Sequence, residues 1–196
     1  MQMNYQDIVE RRRALRIEGY KTLADVGFDG PWVTPYQKAS CAANGPVLVA
    51  YHWLDARSAV KHRARLDEHL YLPEIVFNRV IDLALRECGM TRSDLYLTQA
   101  FHLLPERRSA SIASRDIDRS FDEVTRHELI GRPVIALGTA ASSACRRHGV
   151  PHWRVPHPSA RGLTHETKAN ELARAINATR CKASVHVDVK RWYRAT

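Results

Sequence analysis

The amino-acid sequence predicts an α/β protein of three layers, α/β/α, in which helices cover both faces of a central, mostly parallel four-stranded sheet. Three observations predict it. Four short runs of β-branched and aliphatic residues read as buried strands: Pro46 to Trp53, Asp94 to Ala100, Arg132 to Gly138 and His152 to Pro156. The stretches between them carry apolar residues at three- and four-residue spacing, the period of a helix that lays one face on a core. Strands alternating with such helices run parallel, because each crossover must bury its apolar stripe against the sheet.

Taken in chain order, Tyr5 to Leu15 reads as a helix ahead of the first strand. Pro73 opens the next helix, with Ile75, Val76, Val80, Ile81, Leu83 and Ala84 as its stripe and Gly89 as its stop. Ser114 is placed to cap a helix from Arg115 to Ile130, striped by Ile117, Phe121, Val124 and Leu129, with Asp116 and Asp118 at its positive end. Thr139 to His148 is a short helix closed by Gly149, and Thr164 begins a last one that runs to about Asn177. No internal repeat, low-complexity tract or long linker interrupts the order, so residues 1–196 read as one domain. Residues 1–44 form a helical extension, 45–178 the core and 179–196 a tail.

Composition narrows the function. The 30 Lys and Arg residues against 21 Asp and Glu leave a net charge of +9, and the preference for Arg points to a polyanionic partner whose phosphates a guanidinium can grip with two parallel hydrogen bonds. No apolar run approaches the roughly 20 residues needed to cross a bilayer. The opening MQMNYQDIVERRR has no apolar stretch to direct secretion, so the sequence predicts a cytoplasmic protein. Cys41, Cys88, Cys145 and Cys181 form no C-x-x-C pair, which predicts reduced thiols and no metal or other cofactor. No G-x-x-x-x-G-K-[ST] or G-x-G-x-x-G string occurs, which removes the usual nucleotide-binding explanations of an α/β sheet.

In such sheets ligands bind beyond the carboxyl ends of the strands, so the residues that matter follow each run: 51–55, 99–104, 138–141 and 157–162. The most informative string is Val155-Pro156-His157-Pro158-Ser159-Ala160-Arg161-Gly162. Two prolines hold the backbone around His157, so its imidazole is fixed and can donate to a group that gains negative charge, while the Ser159 hydroxyl or a nearby N–H can hold a phosphate. By itself the string is equally a structural turn containing a histidine. Basic residues gather at Arg57, Lys61, His62, Arg63 and Arg65, at Arg107, Arg108 and Arg115, and at Arg146, Arg147, Arg154 and Arg161, which reads either as solvated surface or as a path for a nucleic-acid backbone. The ERRR run at 10–13 reads as an ordinary helix face, and the tail Lys190 to Arg194 as an anchor strand or a loose basic end.

The order of these strings, from the first strand through L-Y-L-T-Q-A, R-P-V-I-A-L-G-T-A-A and H-P-S to T-H-E-T-K-A-N-E-L, resembles the uracil-DNA glycosylase superfamily over about residues 45–178. That resemblance implies a nucleoid-associated, monomeric glycosylase-like domain that binds single- or double-stranded DNA, flips a uracil or modified pyrimidine out of the stack and hydrolyses its N-glycosidic bond. It implies that His157 steadies the departing base, that Ser159 contacts a phosphate, and that Ala160 to Leu163 enters the duplex with Arg161 or Leu163 as the plug. Arg57 and Lys61 would line the DNA path. Two departures stand out. Where relatives carry a water-activating residue in a Gly-rich turn, this chain reads Ala50-Tyr51-His52-Trp53-Leu54-Asp55, leaving His52 and Asp55 as candidates to activate water or stabilise the sugar cation. Where relatives carry Asn to read the base edge, this chain has Gln99, whose extra methylene implies a shifted base. The resemblance places Tyr71 near the ring beneath the base, with Tyr51 and Phe101 as competitors.

Other readings stay open. His52 and Trp53 fit equally as packing at a strand end, with Asp55 capping the next helix. The altered water-activating turn also fits a glycosylase-like binding protein that recognises a modified base or abasic site without cutting. An α/β enzyme acting on free nucleosides or nucleotides is the third reading.

Overall fold

A computed structural model describes residues 4–183 of the chain. Helix α1 (Tyr5–Ala14) starts at Asn4, whose side chain accepts from the N–H of Gln6. Residues 15–44 hold only short 3-10 turns at Ala24–Val26 and Pro35–Lys38, so the expected helical extension is helical only at its front. The strands are β1 (Val47–Ala50), β2 (Tyr96–Gln99), β3 (Val134–Leu137) and β4 (His152–Val155). All neighbours pair parallel in the order β2-β1-β3-β4. Each strand is shorter than its apolar run. Pro46, Pro133 and Pro151 stand directly before β1, β3 and β4, and Pro156 directly after β4, where a residue without an N–H cannot extend the ladder.

Between β1 and β2 lie α2 (Ala56–Lys61), α3 (Arg63–His69) and α4 (Val76–Glu87). Helix α4 starts three residues after Pro73, because residues 73–75 form the entering turn. The helix expected from Arg115 to Ile130 is broken into α5 (Ser114–Ser120), a π-turn (Phe121–Thr125) and α6 (Arg126–Glu128). Ser114 is its first helical residue and makes no cap, Ala113 being the cap position. Helix α7 (Thr139–Arg147) joins β3 to β4, and α8 (His165–Ala183) takes in residues that the sequence placed in a tail. The basic string Lys190 to Arg194 lies outside the described residues.

Because side chains alternate across a strand, the sheet feeds two cores. Leu48, Leu97, Ile135, Leu137 and Val155 meet α4 and α8 through Val80, Ile81, Leu172 and Ile176. Val47, Val49, Tyr96, Val134 and Ala136 meet α1, α5 and α7 through Val9, Ile117, Phe121 and Ala144. The three layers expected from the sequence are therefore present. The outer edge of β2 is covered by residues 40–42, which pair with it antiparallel: Leu97 N–H donates to Ser40 O at 3.0 Å and Ala42 N–H to Leu95 O at 3.0 Å.

The π-turn brings a carboxylate inward. Glu128 is buried and accepts from the Tyr96 hydroxyl (2.6 Å), the Thr98 hydroxyl (2.6 Å) and the Gln37 amide (2.9 Å). Burial outweighs those three donors and pushes its carboxyl up to about 7. Beside it, His102 is held down to about 3, first by burial and then by the charge of Arg12. Among the described residues no helix is long and apolar enough to cross a membrane.

Candidate active site

The strand order brings the turns after β1 and β4 to either side of the end of β3, since both strands are neighbours of β3. This is where the connections diverge, β1 sending the chain toward β2 and β3 sending it toward β4. Hydrogen bonds tie the ends together: Ala100 N–H to Ala50 O (2.9 Å), Phe101 N–H to Tyr51 O (3.0 Å) and Gly138 N–H to Val155 O (2.9 Å). Gly138, at φ 89°, is required twice over. Its backbone lies in the region that disfavours side chains, and a Cβ there would come 2.7 Å from the Cβ of His157. The missing side chain lets His157 sit directly over the end of β3.

His157 is held by its own turn. Ser159 N–H donates to its Nδ1 at 3.1 Å, and Ala160 N–H to its carbonyl at 2.7 Å. With Nδ1 accepting, the neutral ring carries its proton on Nε2, the nitrogen left to donate outward. Phe77, in the first turn of α4, lies 5.5 Å from the imidazole at 40°, and Tyr36 stacks on Phe77 at 5.9 Å and 30°. Burial lowers the affinity of His157 for a second proton, and the charges of Arg108 and Lys168 lower it further. The ring is therefore a neutral donor at pH 7.

His52 stands across from it. Burial pulls it down to about 4, against the carbonyl of Leu54 and the Asp55 carboxylate, and the positive forms of His157 and Arg108 add to the depression. A proton on His157 thus opposes one on His52. The Nδ1 of His52 is buried without a hydrogen-bond partner, and the Tyr51 ring tilts against the imidazole at 4.9 Å. Asp55 is placed otherwise than a catalytic acid requires. It is the N-cap of α2, with one oxygen accepting from Ser58 N–H (2.9 Å) and the other from the Ser58 hydroxyl (2.6 Å). Both oxygens are taken by the cap.

Gln99 ends β2 fully buried, its Oε1 accepting from the Thr34 hydroxyl at 3.2 Å and its Nε2 left with no partner. One face of Tyr71 is taken: the guanidinium of Arg92 lies 4.1 Å from its centroid, anchored in turn to Asp82 (2.8 Å) and to the Asn78 amide oxygen (3.2 Å). Phe77 is the ring beside His157. In the sequence it is hidden within the apolar stripe of α4, and only the return of the chain after α3 brings the first turn of that helix to His157.

Of the residues expected to meet DNA, Ser159 is half-buried within the His157 turn, and Arg161 and Leu163 are exposed on the same loop, Leu163 being 41% accessible despite its apolar side chain. Arg57 is exposed at the start of α2 and paired with Glu106 at 2.9 Å, and Lys61 is exposed at the end of that helix. The three basic groups are not three clusters at one mouth. Arg63 stacks on Phe28 and donates to the carbonyl of Val26, Arg65 pairs with Glu74 (2.7 Å), and Arg147, at the far end of α7, pairs with Asp118 (2.6 Å). Among the described residues no group of three or more His, Cys, Asp or Glu could hold a metal ion.

No protein-family model matches the sequence, and no curated protein matches it. The likeness to the uracil-DNA glycosylases therefore rests on the motifs themselves.

Proposed function

We propose that the protein is a DNA glycosylase that flips a uracil or modified pyrimidine to the strand ends that carry His52 and His157 and hydrolyses its bond to deoxyribose. The observation that supports this most is the fixed tautomer of His157: Nδ1 is occupied by Ser159 N–H, so Nε2–H points away from its own turn as a donor. When the N-glycosidic bond breaks, its electron pair leaves with the base and the sugar becomes a cation. A neutral imidazole donating to the carbonyl oxygen of the base is then worth more in the transition state than in the ground state, which is the condition for catalysis. Water adds to the anomeric carbon, and its proton passes to the neutral imidazole of His52. A sugar cation needs little help in capturing water, so a weak base there suffices, and a general base of any strength contributes only about 10²- to 10⁴-fold. Phe77 offers an edge or face to the extruded ring, and Arg161 and Leu163 are positioned to occupy the gap left in the duplex.

The test is incubation with single- and double-stranded oligonucleotides carrying uracil, 5-hydroxymethyluracil or related bases, followed by alkaline cleavage of abasic sites. Strand scission is expected, and its absence on every substrate overturns the proposal. His157→Ala should reduce scission far more than binding, because the lost hydrogen bond strengthens only as the base becomes anionic. Capture of both oxygens of Asp55 by the helix cap favours a second reading, a glycosylase-like protein that recognises a modified base or abasic site without cutting. Salt-dependent DNA affinity with no free pyrimidine released, assayed by chromatography, would select that reading.

A further inference from the structure

Lys168 is one of the most buried charged residues of the described chain, 3% accessible, and lies in the first turn of α8. Its ammonium donates to the carbonyl of Ala160 at 3.1 Å and meets no carboxylate among the described residues. Taking an ammonium out of water without a counter-ion is costly, and a methionine of similar length would fill the same space at no such cost. The cation's position therefore calls for an explanation beyond packing.

The geometry supplies one. Ala160, whose carbonyl the ammonium holds, is the residue whose N–H grips the carbonyl of His157 at 2.7 Å, and the neighbouring Ser159 N–H grips the imidazole. Lys168 thus closes a chain of contacts that ends on the ring. Its anchor is rigid: α8 is capped at Thr164, whose hydroxyl accepts from Thr167 N–H at 3.1 Å, and is fixed to the core by Leu172 and Ile176.

We propose that Lys168 is a positioning residue for His157: its ammonium fixes the 157–160 turn and brings a positive charge to the turn that holds the imidazole. This deepens the glycosylase reading, in which that charge would keep His157 a neutral donor and favour an anion in front of it. The charged groups that act on His157 are Arg108 from the loop after β2 and Lys168 from α8, and of the two only Lys168 is buried.

The experiment is an NMR pH titration of His157 in the full chain, without DNA, comparing the wild type with Lys168→Met and Lys168→Arg. Removing the charge in K168M should raise the titration midpoint of His157 by several tenths of a pH unit, and K168R should keep it near the wild-type value. An unchanged midpoint in K168M overturns the proposal, as does an equal rise in K168R. Should K168M not fold, Lys168→Gln, which keeps a donor without the charge, is titrated against the same criterion. Collapse of both variants also overturns it, because Lys168 would then be a structural prop alone. No base or oligonucleotide enters this measurement, so its outcome is independent of whether the protein cleaves DNA.

Discussion

At the scale of single residues the molecule carries buried groups whose protonation is set against their ordinary behaviour, and they oppose one another. His52, at about 4, and His102, at about 3, lie below the usual 6.5, so the unfolded chain binds their protons more readily. Their contribution to stability is complete above pH 6.5 and is lost as the pH falls toward 4. Glu128, raised from 4.5 to about 7, has the opposite sign: the folded state holds its proton more tightly, so its contribution is present below 4.5 and is lost as the pH rises to 7. Glu128→Gln removes that loss while keeping the shape of the side chain. Urea unfolding of both proteins at pH 5 and pH 8 should show the wild type losing about 2–3 kcal/mol relative to E128Q, at ~1.4 kcal/mol per unit of pKa. Parallel pH profiles would show that Glu128 is ionised throughout. The same scale explains what a sequence hides. Lys168 looks like any lysine on a polar helix turn, and only the turn at 157–160 folding over it makes it buried. Asp55 after a strand reads as acid or cap with equal ease, since both need a carboxylate at the same place.

At the scale of elements, the cap of α2 decides the role of Asp55. Asp55→Ala removes both hydrogen bonds to Ser58 and should cost about 1 kcal/mol of stability, with Asp55→Asn retaining most of it. Glycosylase turnover, where it is found, should survive the change. A hundredfold loss of turnover at unchanged melting temperature would return Asp55 to the chemistry. Elements with a simple period were legible in the sequence: β1 to β4 are short runs of apolar residues, and α4 keeps Val80, Ile81 and Ala84 on its buried face. Their limits were less so. Pro46 and Pro133 accept ladder hydrogen bonds at their carbonyls, from Tyr96 N–H (3.0 Å) and Val47 N–H (2.9 Å), but have no N–H to carry the strand further back. The π-turn at Phe121–Thr125 was invisible, because an extra residue in one turn shifts the register that a fixed period assumes. That shift helps carry Thr125 and Glu128 inward, where the Thr125 hydroxyl donates to Gln99 O at 2.8 Å. The candidate site was half legible for the same reason: His157 and His52 announce themselves at strand ends, whereas Phe77 is concealed in an apolar stripe and one face of Tyr71 is covered by Arg92, a contact between distant segments.

At the scale of the whole molecule, residues 4–44 are a strap around the sheet and not an appendage to it. Ile8, Val9, Leu15 and Val33 enter the core on the α7 side, while Leu23, Val26, Phe28 and Tyr36 enter the core on the α4 side. The chain therefore crosses from one face to the other, passing the outer edge of β2, and residues 40–42 cover that edge with backbone hydrogen bonds. It also furnishes the site: Tyr36 backs Phe77, and Thr34 holds the amide oxygen of Gln99. Burying each such apolar side chain is worth roughly 1.5–3 kcal/mol. The eight named here together contribute roughly 12–24 kcal/mol of burial, at least the whole net stability of an ordinary domain. A chain of residues 45–196 should accordingly fail to fold, exposing two opened cores and an unpaired strand edge that invites aggregation. Circular dichroism during urea titration and size-exclusion chromatography would check this. A cooperative unfolding transition in the shortened chain, with elution as a compact monomer, would show that the sheet and its carboxyl-end histidines need no strap, and that residues 1–44 are dispensable to the core.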